Sequence, residues 1–172
     1  MLETSILDQV RSIFQQLEAR YTFHITYHPK HEQAGELIEF LNDVASCSDK
    51  LSCRLTIADE PKLEFTLLKE GQETGIKFRA IPNGHEFTSL LLAILNADGK
   101  GKNLPDATIS RRIKALQGPI RLQTYVSLTC TNCPDIVQAL NIMALLNPQL
   151  THEMIDGAIF QLSLIHISEP TR

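Results

Sequence analysis

Residues 126–140 read VSLTCTNCPDIVQAL, and the interpretation of the whole chain starts from this stretch. An apolar, strand-like run over 120–126 leads into it, and a helical pattern begins at Cys133, the second cysteine of a Cys-x-x-Cys motif. Cys130 is therefore expected on a loop at the amino end of a helix, where unpaired backbone N–H groups favour a thiolate over a thiol. A thiolate is the attacking group in disulfide exchange, and Cys133, one turn further on, can close an intramolecular disulfide. The stretch predicts a redox centre.

Composition and charge argue against several classes of function. The 172 residues are 43% hydrophobic and 21% charged, which is ordinary for a globular protein, and the net charge is −4 at pH 7. This acidic balance argues against a nucleic acid or an anionic membrane surface as a partner. No apolar run approaches the ~20 residues that span a bilayer, and the opening residues MLETS lack the pattern of a secretory signal. We therefore expect a cytoplasmic protein, in which a Cys-x-x-Cys pair is more often catalytic than structural.

Periodic apolar patterns divide residues 1–97 into seven predicted elements. They are helices over 3–19, 31–45 and 87–95, and strands over 21–27, 51–57, 63–69 and 76–81, with a hairpin turn at 70–72. This order is typical of a thioredoxin-like domain. The loop after the first strand reads His28-Pro29-Lys30-His31, with no cysteine where a thioredoxin carries its pair. Residues 1–97 are therefore predicted to be a thioredoxin-like half without its own cysteine pair.

The second half repeats part of this order after a polar linker over 98–105. A helix over 106–116, a strand over 119–126, a helix over 133–146 and a strand over 150–155 follow at the same spacing. A complete copy would need a further β-hairpin and helix, roughly 40 residues by comparison with the first half. We therefore predict an α/β protein with two tandem thioredoxin-like folds, of which the second, over 106–161, is incomplete.

Four longer motifs extend well beyond the Cys-x-x-Cys pair: GHEFTSL at 84–90, SLTCTNCPD at 127–135, VQALN at 137–141 and IDG at 155–157. Over residues 1 to about 161 the chain resembles the N-terminal part of the flavoprotein (F) subunit of alkyl hydroperoxide reductase. The resemblance implies that two fused thioredoxin-like halves precede a body that binds FAD and NAD(P)H. It further implies that the second half's cysteine pair takes electrons from that body and passes them to the disulfide of a peroxiredoxin subunit. A homodimer of the full-length protein is compatible with this family.

The chain departs from the family in two ways. It contains no G-x-G-x-x-G fingerprint, so we expect no FAD or NAD(P)H site in this chain. After residue 161 the sequence LSLIHISEPTR matches nothing in the family and is similar to peptides translated from sequencing adapters. We interpret 162–172 as a tail that is not native to the protein and leave it out of the fold prediction.

Glu86 is the acidic residue of most interest outside the cysteine motif. On position alone, it is a carboxylate in the first turn of a helix, complementing the helix dipole after Asn83 as a cap. The resemblance suggests a second role, because the family's GHEF stretch lies near the cysteine pair of the other half. There, a partly buried carboxylate would exchange a proton with the resolving thiol of Cys133. The predicted catalytic residues are therefore Cys130, Cys133 and Glu86.

The other two cysteines admit two interpretations. With Cys130 and Cys133, they would complete a zinc site, but Cys47 and Cys53 lack the close spacing of a zinc knuckle. We expect instead that they are inert, partly buried thiols, and that the pair His28 and His31 lies on a solvated loop. No metal site is predicted.

Two functions from different classes remain open at this point. The first is a thiol–disulfide oxidoreductase module in peroxide detoxification, with a flavoprotein body and a peroxiredoxin as its partners. The second is a non-catalytic docking fragment, which would result if the incomplete second half could not fold and exposed sheet edges were left behind. Whether the cysteine pair cycles in the folded protein distinguishes the two.

Overall fold

The computed structural model describes residues 1–160, which form α-helices and strands in the predicted order. The elements are α1 (Thr4–Phe14), β1 (Tyr21–Tyr27), α2 (Ala34–Ala45), β2 (Leu51–Ile57), β3 (Leu63–Lys69), β4 (Gln72–Arg79), α3 (Phe87–Ala97), α4 (Ala107–Lys114), β5 (Ile120–Val126), α5 (Cys133–Leu146) and β6 (Leu150–Asp156). A 3-10 turn, Gly84–Glu86, leads into α3. The interpretation of 162–172 as a non-native tail concerns residues outside this described range. Within residues 1–160, no helix has the length and apolarity needed to cross a membrane.

The two halves share a single six-stranded sheet, with strand order β2-β1-β3-β4-β6-β5. In the first half, β1 runs parallel to β2 and antiparallel to β3, and β3 runs antiparallel to β4. The second half adds β6 parallel to β4 and then β5 parallel to β6. The predicted α/β fold with thioredoxin-like halves is confirmed, and within residues 1–160 the second half lacks the β-hairpin and helix that follow β2 in the first half. The division at 98–105 stays a prediction.

An apolar line of side chains crosses both halves on one face of the sheet. Phe65 stacks on Phe78 with ring centroids 5.0 Å apart, and Phe23 meets Phe65 edge to face at 5.9 Å. Met154 of β6 lies in register with Phe78, so the line continues into the second half, and all four side chains are fully buried. α2 and α5 pack against the sheet, and α3 packs against α5. The hydrophobic effect thus holds the two halves together as one core.

The junction between β4 and β6 requires a glycine. Gly75 has a φ of +87°, and a Cβ atom there would lie 2.9 Å from the carbonyl oxygen of Leu150, the first residue of β6. Only glycine combines this backbone conformation with such a close approach. The start of β6 can therefore lie directly against β4.

The end of α1 and the start of β4 differ from the prediction. The first depends on a contact that is distant in sequence, and the second depends on the conformation of a tight turn. The first helix stops at Phe14, not at residue 19, because the carboxylate of Asp98 accepts hydrogen bonds from the backbone N–H groups of Glu18 and Ala19 at 3.0 Å each. The strand predicted from residue 76 begins already at Gln72. The two residues before it, at 70 and 71, have positive φ values of 50° and 77°, which form a tight hairpin turn.

The helix predicted over 106–116 is shorter and packs less than its apolar stripe suggests. It spans Ala107–Lys114 and is capped by Asp106, whose carboxylate accepts a hydrogen bond from the N–H of Ile109 at 2.9 Å. Ile113 is its one buried residue. Ile109 and Leu116 are 48% and 42% exposed.

Candidate active site around Cys130 and Cys133

A disulfide joins Cys130 and Cys133, with their Cα atoms 5.6 Å apart. Cys130 lies in the cysteine loop, residues 127–132 between β5 and α5, and its N–H donates to the carbonyl of Ser127 at 2.9 Å. Cys133 is the first residue of α5, as the sequence predicts. Both cysteines are half-buried, whereas Thr131 and Asn132 between them are exposed. A second disulfide can therefore approach the pair from solvent.

One backbone donor at the amino end of α5 is directed at Cys130. The N–H of Cys133 donates to the Sγ of Cys130 across 3.2 Å. Asn132 makes no capping hydrogen bond with its side chain, and Pro134 in the first turn has no N–H to satisfy. In the reduced protein, this N–H and the helix dipole would favour negative charge on the sulfur of Cys130.

Glu86 is fully buried. Its Oε1 accepts a hydrogen bond from the hydroxyl of Ser89 at 2.6 Å, and its Oε2 has no partner among residues 1–160. Burial raises the pKa of Glu86, while the Ser89 hydrogen bond and the charge of His85 oppose this rise. The side chain of Asn83 makes no capping bond, so the capping part of the positional interpretation is wrong.

The turn that carries Glu86 lies against the loop that carries the cysteines. The N–H of His85 donates to the carbonyl of Leu128, two residues before Cys130, at 3.3 Å. Gly84 has a φ of +56°, and a Cβ there would lie 3.1 Å from the same carbonyl oxygen. The acid of the first half and the cysteine loop of the second half are thus neighbours, although they are distant in sequence.

A second link joins Glu86 to the helix of the cysteine pair. The amide Nε2 of Gln138, on α5, donates to the Oγ of Ser89 at 3.2 Å. Ser89, on α3, is fully buried. Ser89 and Gln138 lie within the GHEFTSL and VQALN motifs, but sequence analysis assigned neither residue a role, because a serine in a mostly apolar helix and a glutamine on α5 are ordinary by pattern alone.

A polar network around the buried His152 joins α5 to β5 and β6, through Asn141 of α5 and Thr124 of β5. His152 of β6 bonds through Nδ1 to the Oδ1 of Asn141 at 2.7 Å and through Nε2 to the hydroxyl of Thr124 at 2.8 Å. Because Asn141 Oδ1 can only accept, the ring donates through Nδ1 and accepts through Nε2, as a neutral imidazole does. Burial lowers the pKa of His152 to about 4. The sequence signal for this network is a histidine in the middle of β6, a strand whose other residues, except Thr151, are also buried.

The cysteines outside the pair are thiols without a part in the site. Cys47 is buried, Cys53 is half-buried, and neither forms a disulfide. Burial raises the pKa of both, that of Cys53 to about 11, so they are weak nucleophiles. Within residues 1–160, no three His, Cys, Asp or Glu side chains converge as metal ligands. The burial expected of these two thiols is confirmed.

Fold and site together define a thioredoxin-like domain with a disulfide at the amino end of a helix. A crystal structure of the NTD_N/C domain of the F protein of alkyl hydroperoxide reductase from Enterococcus faecalis superposes with a TM-score of 0.87 at 30% identity, covering 98% of this chain and 86% of that one. The chain belongs to the family of N-terminal domains of the alkyl hydroperoxide reductase F protein.

Relatives known from sequence agree with this assignment. The F protein of alkyl hydroperoxide reductase from Pseudomonas aeruginosa is 37% identical over 161 residues, and that from Staphylococcus epidermidis is 40% identical over 164 residues. Each match covers 94% of this chain, which spans about three tenths of the length of these curated relatives. A protein disulfide oxidoreductase from Aeropyrum pernix shares the fold at a TM-score of 0.79 and 17% identity, over 92% of this chain and 77% of that one. No family model matches the chain.

Proposed function

We propose that the chain is a thiol–disulfide oxidoreductase module that passes electrons from a flavoprotein body to the disulfide of a peroxiredoxin, in the detoxification of peroxides. The observation that carries the proposal is the Cys130–Cys133 disulfide, formed at the amino end of α5 with a backbone N–H directed at Cys130. The relatives named as alkyl hydroperoxide reductase proteins support the choice of partner.

The exchange proceeds in two balanced steps. In the reduced protein, the thiolate of Cys130 attacks one sulfur of the partner disulfide, whose S–S bond breaks and whose other sulfur leaves as a thiolate that takes a proton from water. The thiol of Cys133 then loses its proton, and its sulfur attacks Cys130 and breaks the mixed disulfide. The second partner sulfur leaves and is protonated. Two electrons have passed to the partner, and the Cys130–Cys133 disulfide of the structure is the product.

Glu86 serves in this proposal as the proton carrier of the second step. Its carboxylate would accept the proton of the Cys133 thiol and return it to the leaving sulfur of the partner. The buried Oε2 without a partner among the described residues supports this role, since burial raises the pKa of Glu86 and so strengthens its hold on a proton. Glu86→Gln should slow exchange at pH values where the carboxylate is ionised and the Cys133 thiol is not, without unfolding the domain. Equal rates for both proteins from about pH 6 to pH 8 would remove Glu86 from the mechanism.

The cofactors and the cell compartment belong to the same proposal. FAD and NAD(P)H would bind a flavoprotein body in the part of the relatives' length that this chain does not cover, and that body would reduce the Cys130–Cys133 disulfide. In this proposal the longer protein acts in the cytoplasm, as a homodimer. The chain itself supplies a sulfur pair and a proton carrier.

The alternative of a non-catalytic docking fragment depended on a second half that cannot fold. The parallel pairing of β6 with β4 and the burial of Met154 and Val137 give that half a folded partner in the first half. We therefore favour the exchange module.

The test is electron transfer from the reduced chain to the oxidised peroxiredoxin of an alkyl hydroperoxide reductase. Thiols should appear on the peroxiredoxin, and Cys133→Ser should accumulate a mixed disulfide through Cys130, visible as a mass increase. Cys130→Ser should do neither. The proposal is wrong if wild type transfers no faster than Cys130→Ser and Cys133→Ser traps no partner.

A further inference from the structure

Two consecutive hydrogen bonds connect α5 to Glu86, through the side chains of Gln138 and Ser89. Gln138 Nε2 lies 3.2 Å from Ser89 Oγ, and Ser89 Oγ lies 2.6 Å from Glu86 Oε1. Ser89 and Glu86 are both fully buried, and Gln138 is half-buried. The chain of bonds therefore starts on the helix that begins at Cys133 and ends on the acid of the other half.

The direction of both bonds follows from the groups involved. An amide NH₂ can only donate, so Ser89 Oγ is the acceptor of the bond from Gln138. An ionised carboxylate can only accept, so the one hydrogen of the Ser89 hydroxyl points to Glu86 Oε1. Oε1 is thereby occupied as an acceptor. Oε2 is the oxygen on which a proton can reside without breaking this pattern.

We propose that Gln138 and Ser89 are positioning residues that hold Glu86 Oε1 as an acceptor and leave Oε2 as the oxygen that takes and returns the proton in disulfide exchange. The proposal rests on the proton-carrier role of Glu86 in the proposed function. It adds a fixed direction for that proton and a physical link between the acid and the cysteine-bearing helix. Neither Gln138 nor Ser89 exchanges a proton with the cysteines.

The charged groups that face Glu86 are few, which makes its titration a clean measurement. His85 lies on the same turn, and its charge opposes the rise that burial causes in the pKa of Glu86. α3 carries no ionisable residue, and the only one on α5 besides Cys133 is Asp135, which is exposed. On the cysteine loop, Cys130 alone titrates, and only after reduction.

Removing the Ser89 hydroxyl should raise the pKa of Glu86, because that hydrogen bond favours the ionised form against the effect of burial. The exchange rate should rise with pH as Glu86 ionises, and we call this rise the Glu86-dependent limb. In Ser89→Ala the limb should move to higher pH, by about half a unit or more. Gln138→Met removes only the donor to Ser89 and should move the limb less, in the same direction. Because Gln138 is half-buried, this second variant keeps the fold even if Ser89→Ala does not.

The experiment follows the reaction of the reduced chain with Ellman's reagent from about pH 4 to pH 9, a range that covers the ordinary pKa of a glutamate, about 4.3, and values raised above it. The first release of chromophore reports attack by Cys130, and the second reports attack by Cys133 on the mixed disulfide. We expect the midpoint of the second rate to shift upward in Ser89→Ala and Gln138→Met. Ser110→Ala, which removes a hydroxyl on α4 that donates to the backbone carbonyl of Pro105, should leave it in place.

The Glu86→Gln background separates the two proposals. If the limb is absent there, and Ser89→Ala and Gln138→Met cause no further change, the positioning role is supported. If the limb depends on Glu86 but neither variant moves it, the positioning role is wrong and the proton-carrier role stands. If the limb persists in Glu86→Gln, both fall together.

Discussion

The backbone N–H of Cys133 donates a hydrogen bond to the Sγ of Cys130 across 3.2 Å. The two cysteines of the pair are therefore electrostatically unequal, although only two residues separate them. The first turn of α5 stabilises negative charge on Cys130, while the sulfur of Cys133 belongs to the helix itself. This asymmetry supports the proposed roles, in which Cys130 attacks the partner disulfide and Cys133 resolves the mixed disulfide.

The asymmetry predicts the order of alkylation in the reduced protein. Cys133→Ser keeps Cys130 at the amino end of the helix and should react with iodoacetamide at pH 7 about ten times faster than Cys130→Ser, because the thiolate is the reacting form. The measurement is the alkylation rate by mass spectrometry. Equal rates, or a faster Cys133, would contradict the assigned roles. Cys47 and Cys53 should react slowly in both variants and serve as internal controls.

Gly84 should couple the turn of Glu86 to the cysteine loop. Gly84→Ala forces an alanine into a φ of +56° and brings its Cβ to 3.1 Å from the carbonyl of Leu128, so we expect a loss of about 1–2 kcal/mol in the free energy of unfolding. The exchange rate of the pair should also change.

Gly99→Ala is the matched control for this change. Gly99 has a φ of +77° with no atom within 4 Å of the Cβ position, so it tests the backbone strain alone. Urea unfolding should show a similar loss of stability in both variants, but only Gly84→Ala should alter exchange. An unchanged rate in Gly84→Ala would mean that the turn does not position the loop.

His152 should make stability fall in acid. Its folded pKa, about 4, lies below the ordinary 6.5, so its contribution is complete above pH 6.5. As the pH falls from 6.5 towards 4, the unfolded chain binds a proton that the folded protein does not, and roughly 3 kcal/mol of stability is lost.

The test for His152 is the pH slope of urea unfolding in His152→Gln, which can still form hydrogen bonds but does not titrate. The loss between pH 6.5 and about 4 should shrink in this variant and stay as in wild type in His28→Gln, which changes a loop histidine. If the His152→Gln slope equals that of wild type, the buried ring does not control the acid response.

Sequence patterns predicted what depends on local order. The period of each element and the step from β5 into α5 placed Cys130 and Cys133 correctly, because strand, loop and helix start are all local signals. The early stop of α1 could not be predicted in this way. It depends on the carboxylate of Asp98, about 80 residues away.

The hydrogen bonds around the site also could not be predicted from sequence patterns. The bond from Gln138 to Ser89 and the network of Asn141, His152 and Thr124 join residues on separate elements. Periodicity reports which face of an element is apolar, and it carries no information on which polar side chains meet inside the core. The position of Glu86 near the cysteine pair was implied by a family resemblance and not by periodicity, and its link through Ser89 to Gln138 became visible only in the folded chain.

The most direct test of the exchange centre is a redox titration of the purified 172-residue chain, counting thiols against the ratio of reduced to oxidised dithiothreitol. Cys130 and Cys133 should titrate together as a two-electron couple at about −250 mV, between the potentials of thioredoxin and glutaredoxins. Cys130→Ser should abolish the transition. A contrary result would be four thiols that react at once with no defined midpoint, because the second half would then be unfolded and the pair would not form an exchange centre.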